Sequence, residues 1–210
     1  MCIRDRLEAT TAEAVQPWIL DPEKVGPGLS AYFAAGRPAA VQSPNLSLER
    51  ADKLPSGRTV WLFRVVTESS PRGFPFGVEE TAEGLRVDWE IFAQCRDNAL
   101  QTFAANPAAP AGPYYVALKR KHIFDDILPP KEQPKFFAFS LTSPSVETAP
   151  VVAFVRKGTP FALRVDALYE FSNIYAPVLE LTHRDGRIEI TGILRDNWRR
   201  NGSAVISKNK

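Results

Sequence analysis

The stretch Gly84-Leu-Arg-Val-Asp-Trp-Glu-Ile-Phe92 decides how the rest of the chain is read. Residues 85–87 read as a short strand, and from Asp88 onward the apolar residues change period. Trp89, Phe92, Cys95 or Arg96, Ala99 and Phe103 recur at the three-and-four spacing of a helix with one inward stripe. A strand therefore runs straight into a helix that is expected to reach about residue 105. Two short helices and a meander of strands precede it. A helix, further strands, a second helix and a closing hairpin follow. The stretch is expected to join two α+β lobes.

Upstream, Thr10-Thr-Ala-Glu13 has capping-box spacing, with Thr10 as N-cap and an acid three residues on. Asp21-Pro22 opens a second helix, with Asp21 as N-cap and the proline where its missing N–H costs nothing. Val25, Leu29, Tyr32 and Phe33 form one apolar stripe on it, and Gly36 is placed to end it. Strands are expected at 46–52, 59–68, 74–80 and 85–87, separated by Pro/Gly/Ser turns. In the second of these, Trp61, Phe63 and Val65 alternate with Leu62, Arg64 and Val66.

Downstream, residues 106–113 (Asn-Pro-Ala-Ala-Pro-Ala-Gly-Pro) form a short Pro/Ala-rich linker. Strands at 114–124, 135–141 and 151–156 lead to a helix over 160–171 with Thr159 as N-cap. The hairpin 177–183 against 187–194 turns at Asp185-Gly186, a dipeptide suited to the two positive-φ positions of a tight turn. Residues 201–210 read as a frayed polar tail.

Composition narrows the function without naming it. The chain has 210 residues, enough for one large domain or two small ones. With 26 Lys and Arg against 24 Asp and Glu, the net charge of +2 argues for no polyanionic partner. The 18 prolines sit mostly between periodic segments, as in a fold with many corners. Residues 1–6, Met-Cys-Ile-Arg-Asp-Arg, allow the codon reading ATG TGT ATA AGA GAC AGN, which resembles a sequencing-transposon end. They are read as a scar and set aside from the fold. On that reading native sequence begins at Leu7, inside a helical pattern, with its upstream part missing. No apolar run approaches the roughly 18–20 residues of a membrane-spanning helix. Cys2 set aside, Cys95 alone remains, so neither an internal disulfide nor a cysteine zinc site is expected.

Paired N-terminal helices followed by a meander ending in Gly-Leu-Arg-Val-Asp-Trp-Glu resemble the nuclear-transport-factor-2-like cone fold. More narrowly, the chain is similar to a group of uncharacterised bacterial proteins. The matching features are Asp21-Pro-Glu23, Tyr32-Phe33, residues 84–92, Ala153-Phe-Val155 and Asp196-Asn-Trp198. These are packing and capping residues, with no catalytic signature among them. In that group the domain tends to follow an N-terminal membrane segment. The resemblance therefore implies a membrane-anchored or periplasmic setting if such a segment belongs to the protein, and a cytoplasmic one otherwise.

The candidate chemistry is sparse. Asp88 and Glu90 flank Trp89, and Asp88 is the one candidate general base, a role that isomerases and dehydratases of the cone fold give to a pocket carboxylate. The competing reading makes Asp88 the N-cap of the helix, with Glu90 favouring its positive end. His122 lies near Asp125 and Asp126, but His183 is far away in sequence and no third ligand is spaced for a metal, so no metal or cofactor is expected. Strand alternation splits Lys119 and Lys121 from Arg120, which weakens a nucleic-acid stripe. Cys95 lies on an apolar stripe and reads as a small buried hydrophobe. The chain has no phosphate-binding glycine loop, no nucleophile elbow and no dinucleotide fingerprint.

Together these readings give an α+β chain. Residues 7–89 form a cone-like lobe of paired helices and curved antiparallel sheet, residues 90–200 a second helix-plus-antiparallel-sheet lobe, either separate or packed as one unit with the first, and 201–210 a tail. The expected function is a non-catalytic binding or assembly module of a larger bacterial protein, taking a protein or small apolar ligand. Trp61, Phe63, Phe74 and Phe76 are expected to line its apolar patch. The alternatives are a cone-fold isomerase or dehydratase using Asp88, with Tyr32 as a pocket partner, and a nucleic-acid-binding protein.

Overall fold

The computed structural model describes residues 9–36, 45–54, 56–68, 70–71, 73–124, 127–144 and 149–198, and the backbone of 205–208. Residues 1–6, Asp125 and Asp126 lie outside these. By internal contacts the chain divides between Arg96 and Asp97 into two units, Met1–Arg96 and Asp97–Lys210. Each is α+β.

The first unit opens with α1 (Ala12–Val15), a 3-10 turn (Gln16–Trp18) and α2 (Pro22–Ala34). The N-cap of α1 is Thr11, whose hydroxyl accepts the Ala14 N–H at 3.2 Å, one residue later than the capping box at Thr10 would have it. Asp21 does stand at the start of α2, but in the left-handed region (φ 49°), and its side chain makes no capping bond. Its backbone carbonyl instead accepts from Lys24 and Val25. Gly36 (φ 68°) ends that helix as expected.

Four strands follow, β1 (Asn45–Lys53), β2 (Thr59–Val66), β3 (Phe74–Thr81) and β4 (Gly84–Val87), paired antiparallel in that order. Gly73, just before β3, is fixed by both geometry and space. Its φ is 77°, and a Cβ there would sit 2.8 Å from the Val65 carbonyl. β4 passes through Asp88 into α3 (Trp89–Arg96), which packs on β3. The helix expected to run on to residue 105 stops at Arg96. Asn98 is left-handed (φ 49°) and starts a separate helix, α4 (Ala99–Ala105). The division between the units falls at this break, so the linker-like residues 106–113 lie within the second unit.

In the second unit, β5 (Gly112–Tyr115) and β6 (Ala117–Lys121) are one strand bent at Val116. β9 (Asn173–Tyr175) and β10 (Val178–Arg184) are another, bent at Ala176-Pro177. The two run antiparallel on both sides of their bends: β5 pairs with β10, β6 with β9, and the Val116 N–H reaches the Pro177 carbonyl at 3.3 Å between them. β7 (Phe136–Thr142), β8 (Val151–Arg156) and β11 (Arg187–Arg195) connect β6 to β10, with β8 and β11 parallel and the rest antiparallel. The sheet thus folds back on itself around Leu118, Phe139, Leu141, Val155, Leu179 and Leu181, and α5 (Pro160–Leu168) contributes Ala162 and Val165 to the same core.

Thr159 caps α5 through a bond from the Ala162 N–H at 3.0 Å. Asp185 (φ 51°) and Gly186 (φ 73°) form the tight hairpin turn. β12 (Val205–Lys208) pairs with β9, so part of the expected polar tail is a strand. Apolar alternation had not marked it, because a four-residue Val-Ile-Ser-Lys segment carries little pattern.

Candidate functional site

The apolar face of the first sheet is set by register. Residues directly opposite in an antiparallel pair share a face, and β2 places Trp61, Phe63 and Val65 opposite Val78, Phe76 and Phe74 of β3. The face continues on β1, where Leu48 lies opposite Phe63 and Ala51 opposite Trp61.

Helix α3 covers the β3 half of this face. Phe92 meets Phe74 and Phe76 edge-on, each with ring centroids 5.7 Å apart. Trp89 continues the cluster, stacked on Phe33 at 5.7 Å and edge-on to Tyr32 at 5.3 Å. Phe74 and Phe76 are consequently only 3% and 2% exposed. They are core and cannot line an open patch as expected of them. Alternation groups Trp61 with Phe63 and Phe74 with Phe76 within their own strands; the β2–β3 register puts all four on one face, and a helix from beyond the sheet closes over the Phe74–Phe76 end of it. Trp61 and Phe63 keep partial exposure, and Leu48 beside them is 56% exposed. The apolar surface that remains is therefore Leu48, Trp61 and Phe63, at the β1–β2 side.

Asp88 is buried at the β4–α3 junction. Its Oδ1 accepts the Ile91 N–H at 3.2 Å, the bond of an N-cap to the third residue of its helix. Its own N–H donates to the Gly77 carbonyl at 3.0 Å. A small cavity nearby is lined by Val15, Trp18, Ile19, Phe76, Val87, Trp89 and Phe92. It leaves about 10 Å³ for the centre of a water molecule, room for one water at most. Neither Asp88 nor Tyr32 is among its lining residues.

Two buried carboxylates escaped the sequence reading because their closest partners, Arg58 and Arg156, are distant in sequence. Glu79 is held by Arg58 at 3.1 Å. Glu189 lies between Arg156, at 3.1 Å, and Arg184, at 3.3 Å. Both are buried charges with paired arginines, the arrangement burial requires.

In the second unit Arg120 faces the interior opposite Phe139, while Lys119 and Lys121 lie opposite Ser140 and Ala138 on the other face. The Arg120 guanidinium sits 4.6 Å from the centres of both Phe137 and Phe171, and bonds Asp166 at 2.5 Å. His122 stacks on Phe171 at 4.4 Å and 12°. The Nε2 of His183 lies 2.9 Å from the Phe103 carbonyl. Both histidines are thus seated on phenylalanines, and no group of three metal-ligating side chains occurs among the described residues. Cys95 is buried in α3. Burial raises the pKa of the Tyr169 phenol, with the Asp196 charge adding to the shift.

No family model, curated protein or solved structure matches the chain.

Proposed function

We propose that the chain is a non-catalytic binding or assembly module of a larger bacterial protein, holding a partner protein or an apolar ligand on the Leu48–Trp61–Phe63 surface. The observation that carries this reading is a half-exposed apolar row continuing a face whose other half is closed by α3. Exposed apolar patches with polar surroundings mark contact sites in soluble proteins. The disposition of Asp88 supports the same reading, since its carboxylate caps a helix and the neighbouring cavity is apolar and one water in size. A general base needs a substrate within hydrogen-bond reach.

A helix laid over one face of an antiparallel sheet, with α2 packed against its Trp89, also supports, as part of this proposal, a place for the first unit among cone-fold proteins. That fold carries enzymes and binding modules alike, so the surface bears the functional argument. Among the described residues no helix is long and apolar enough to cross a membrane. The anchored setting accordingly belongs to the proposal.

The test compares the chain with a Leu48→Ser, Phe63→Ser variant of matching thermal stability, in capture from a bacterial envelope extract followed by titration of the captured species with purified components. The expected result is one partner held by the parent chain and lost from the variant. Equal binding by both would overturn the assignment of this surface.

A further inference from the structure

The first sheet has two margins, and the described residues cover only one. Outside β4, Ile19 forms a parallel bridge with Val87 and the Leu20 N–H reaches the Val87 carbonyl at 2.8 Å. At the other margin β1 is the outermost strand of its sheet, nine residues long, with most of its side chains exposed. Such a margin is a template for a further strand.

Residues 49–53, Glu-Arg-Ala-Asp-Lys, invert their charges about Ala51. Pairing this segment antiparallel with itself about a two-fold axis at Ala51 sets Arg50 against Asp52 and Asp52 against Arg50, while Glu49, in the bulge, stays paired with Arg64 of its own copy. We propose that a second copy of this chain pairs along β1 in this register, joining two four-stranded sheets into one of eight strands. The two faces of β1 agree with it. Ala51 lies opposite Trp61 on the apolar face, whereas Arg50 and Asp52 lie opposite Leu62 and Val60 on the other. Ala51 of each copy meets its counterpart on the apolar side, which also carries Lys53, and the Arg50 and Asp52 charges meet on the opposite side. Opposite charges directly across a strand pair stabilise it, and like charges oppose it.

Within one copy Arg50 already forms an ion pair with Asp52, N to O 2.5 Å, so dimerisation gathers existing pairs into a four-charge cluster. The bulge between Leu48 and Arg50 ends the regular stretch and so fixes where the pairing stops. The interface is isologous, as a two-fold requires. This inference goes beyond the partner-binding reading and does not depend on it, because it uses the margin of the sheet and a second copy only.

The experiment uses the full chain with Cys2 and Cys95 replaced by alanine and a single cysteine introduced. In antiparallel pairs opposite Cα atoms lie about 4.5–5.5 Å apart, inside the range of about 4.4–6.8 Å that a disulfide spans. Ala51→Cys is expected to form a covalent dimer on mild oxidation, and Ser47→Cys, far from the axis, to remain uncrosslinked. In sedimentation the parent chain is expected to dimerise with rising concentration. Arg50→Asp is expected to weaken the dimer about tenfold or more, and adding Asp52→Arg to restore it. Monomer at every concentration, equal cross-linking at both positions, or no restoration by the double reversal would each overturn the proposal. Thermal melts of every variant separate loss of pairing from loss of fold.

Discussion

The indole N–H of Trp198 donates to the Val116 carbonyl at 2.8 Å, and its backbone N–H donates to the Ala176 carbonyl at 2.7 Å. One residue beyond the last long strand thus pins both bends on which the second sheet turns. Val116 is fully buried, so its carbonyl has no access to bulk water if the indole is removed. Trp198→Phe keeps most of the apolar volume and removes that donor. It is expected to cost about 1–3 kcal/mol, the range for a buried group left without its bond. Urea unfolding checks this, and a change below about 0.5 kcal/mol would show that the bend holds itself.

Trp89 is the corresponding residue of the first unit. It is 6% exposed and touches Tyr32, Phe33 and Phe92, so it ties α2 to α3. Trp89→Ala is expected to destabilise by roughly 3–5 kcal/mol, as large aromatic truncations in a core do. Trp89→Phe should recover more than half of that loss. Equilibrium unfolding of the two variants side by side decides it.

How much of this was legible follows from which signals are local. The hairpin at Asp185-Gly186, the Thr159 cap and the meander of β1 to β4 rest on turn residues, a hydroxyl and alternation within one segment, all present in the sequence. The break at Asn98 was hidden because the apolar stripe passes through it, so periodicity reads continuous while the backbone does not. The bends at Val116 and Ala176-Pro177 fall inside apolar runs and are set by how two strands cross. For the candidate surface, alternation groups Trp61 with Phe63 and Phe74 with Phe76 only within each strand, and the β2–β3 register puts the four on one face. Only the docking of Phe92 determined which two of them stay near solvent.

Asp88 separates a cap from a base by substitution. If its work is to receive the Ile91 N–H, Asp88→Asn keeps an oxygen in place and is expected to stay within about 0.5 kcal/mol of the parent, while Asp88→Ala costs about 0.5–2 kcal/mol. A thermal melt of each variant measures both. Asp88→Asn more stable than the parent by over 1 kcal/mol would mark a carboxylate held against the interests of folding, as functional acids often are, and would return the enzyme reading to consideration.

Tyr169 gives a pH-dependent prediction whose sign can be worked out. Its phenol is buried, and none of the described residues offers its hydroxyl oxygen a hydrogen bond. Burial first, and the Asp196 carboxylate next, raise its pKa above the ordinary 10.0. The folded chain then keeps the phenolic proton at pH values where the unfolded chain has released it. Folding stability falls as pH rises wherever the native state binds more protons. The contribution is therefore fully present below about pH 10, the unfolded value, and is lost progressively above it. Tyr169→Phe removes the titrating group, so its unfolding free energy should decline less steeply than the parent's above that pH. Near neutrality the substitution should be close to neutral or slightly stabilising, because a buried hydroxyl without a bond is itself unfavourable. Urea unfolding of both chains from pH 7 to pH 11 supplies the comparison. Parallel curves would place the phenol in contact with solvent, and a loss above about 1 kcal/mol at pH 7 would mean the hydroxyl is bonded in solution, by water or by protein.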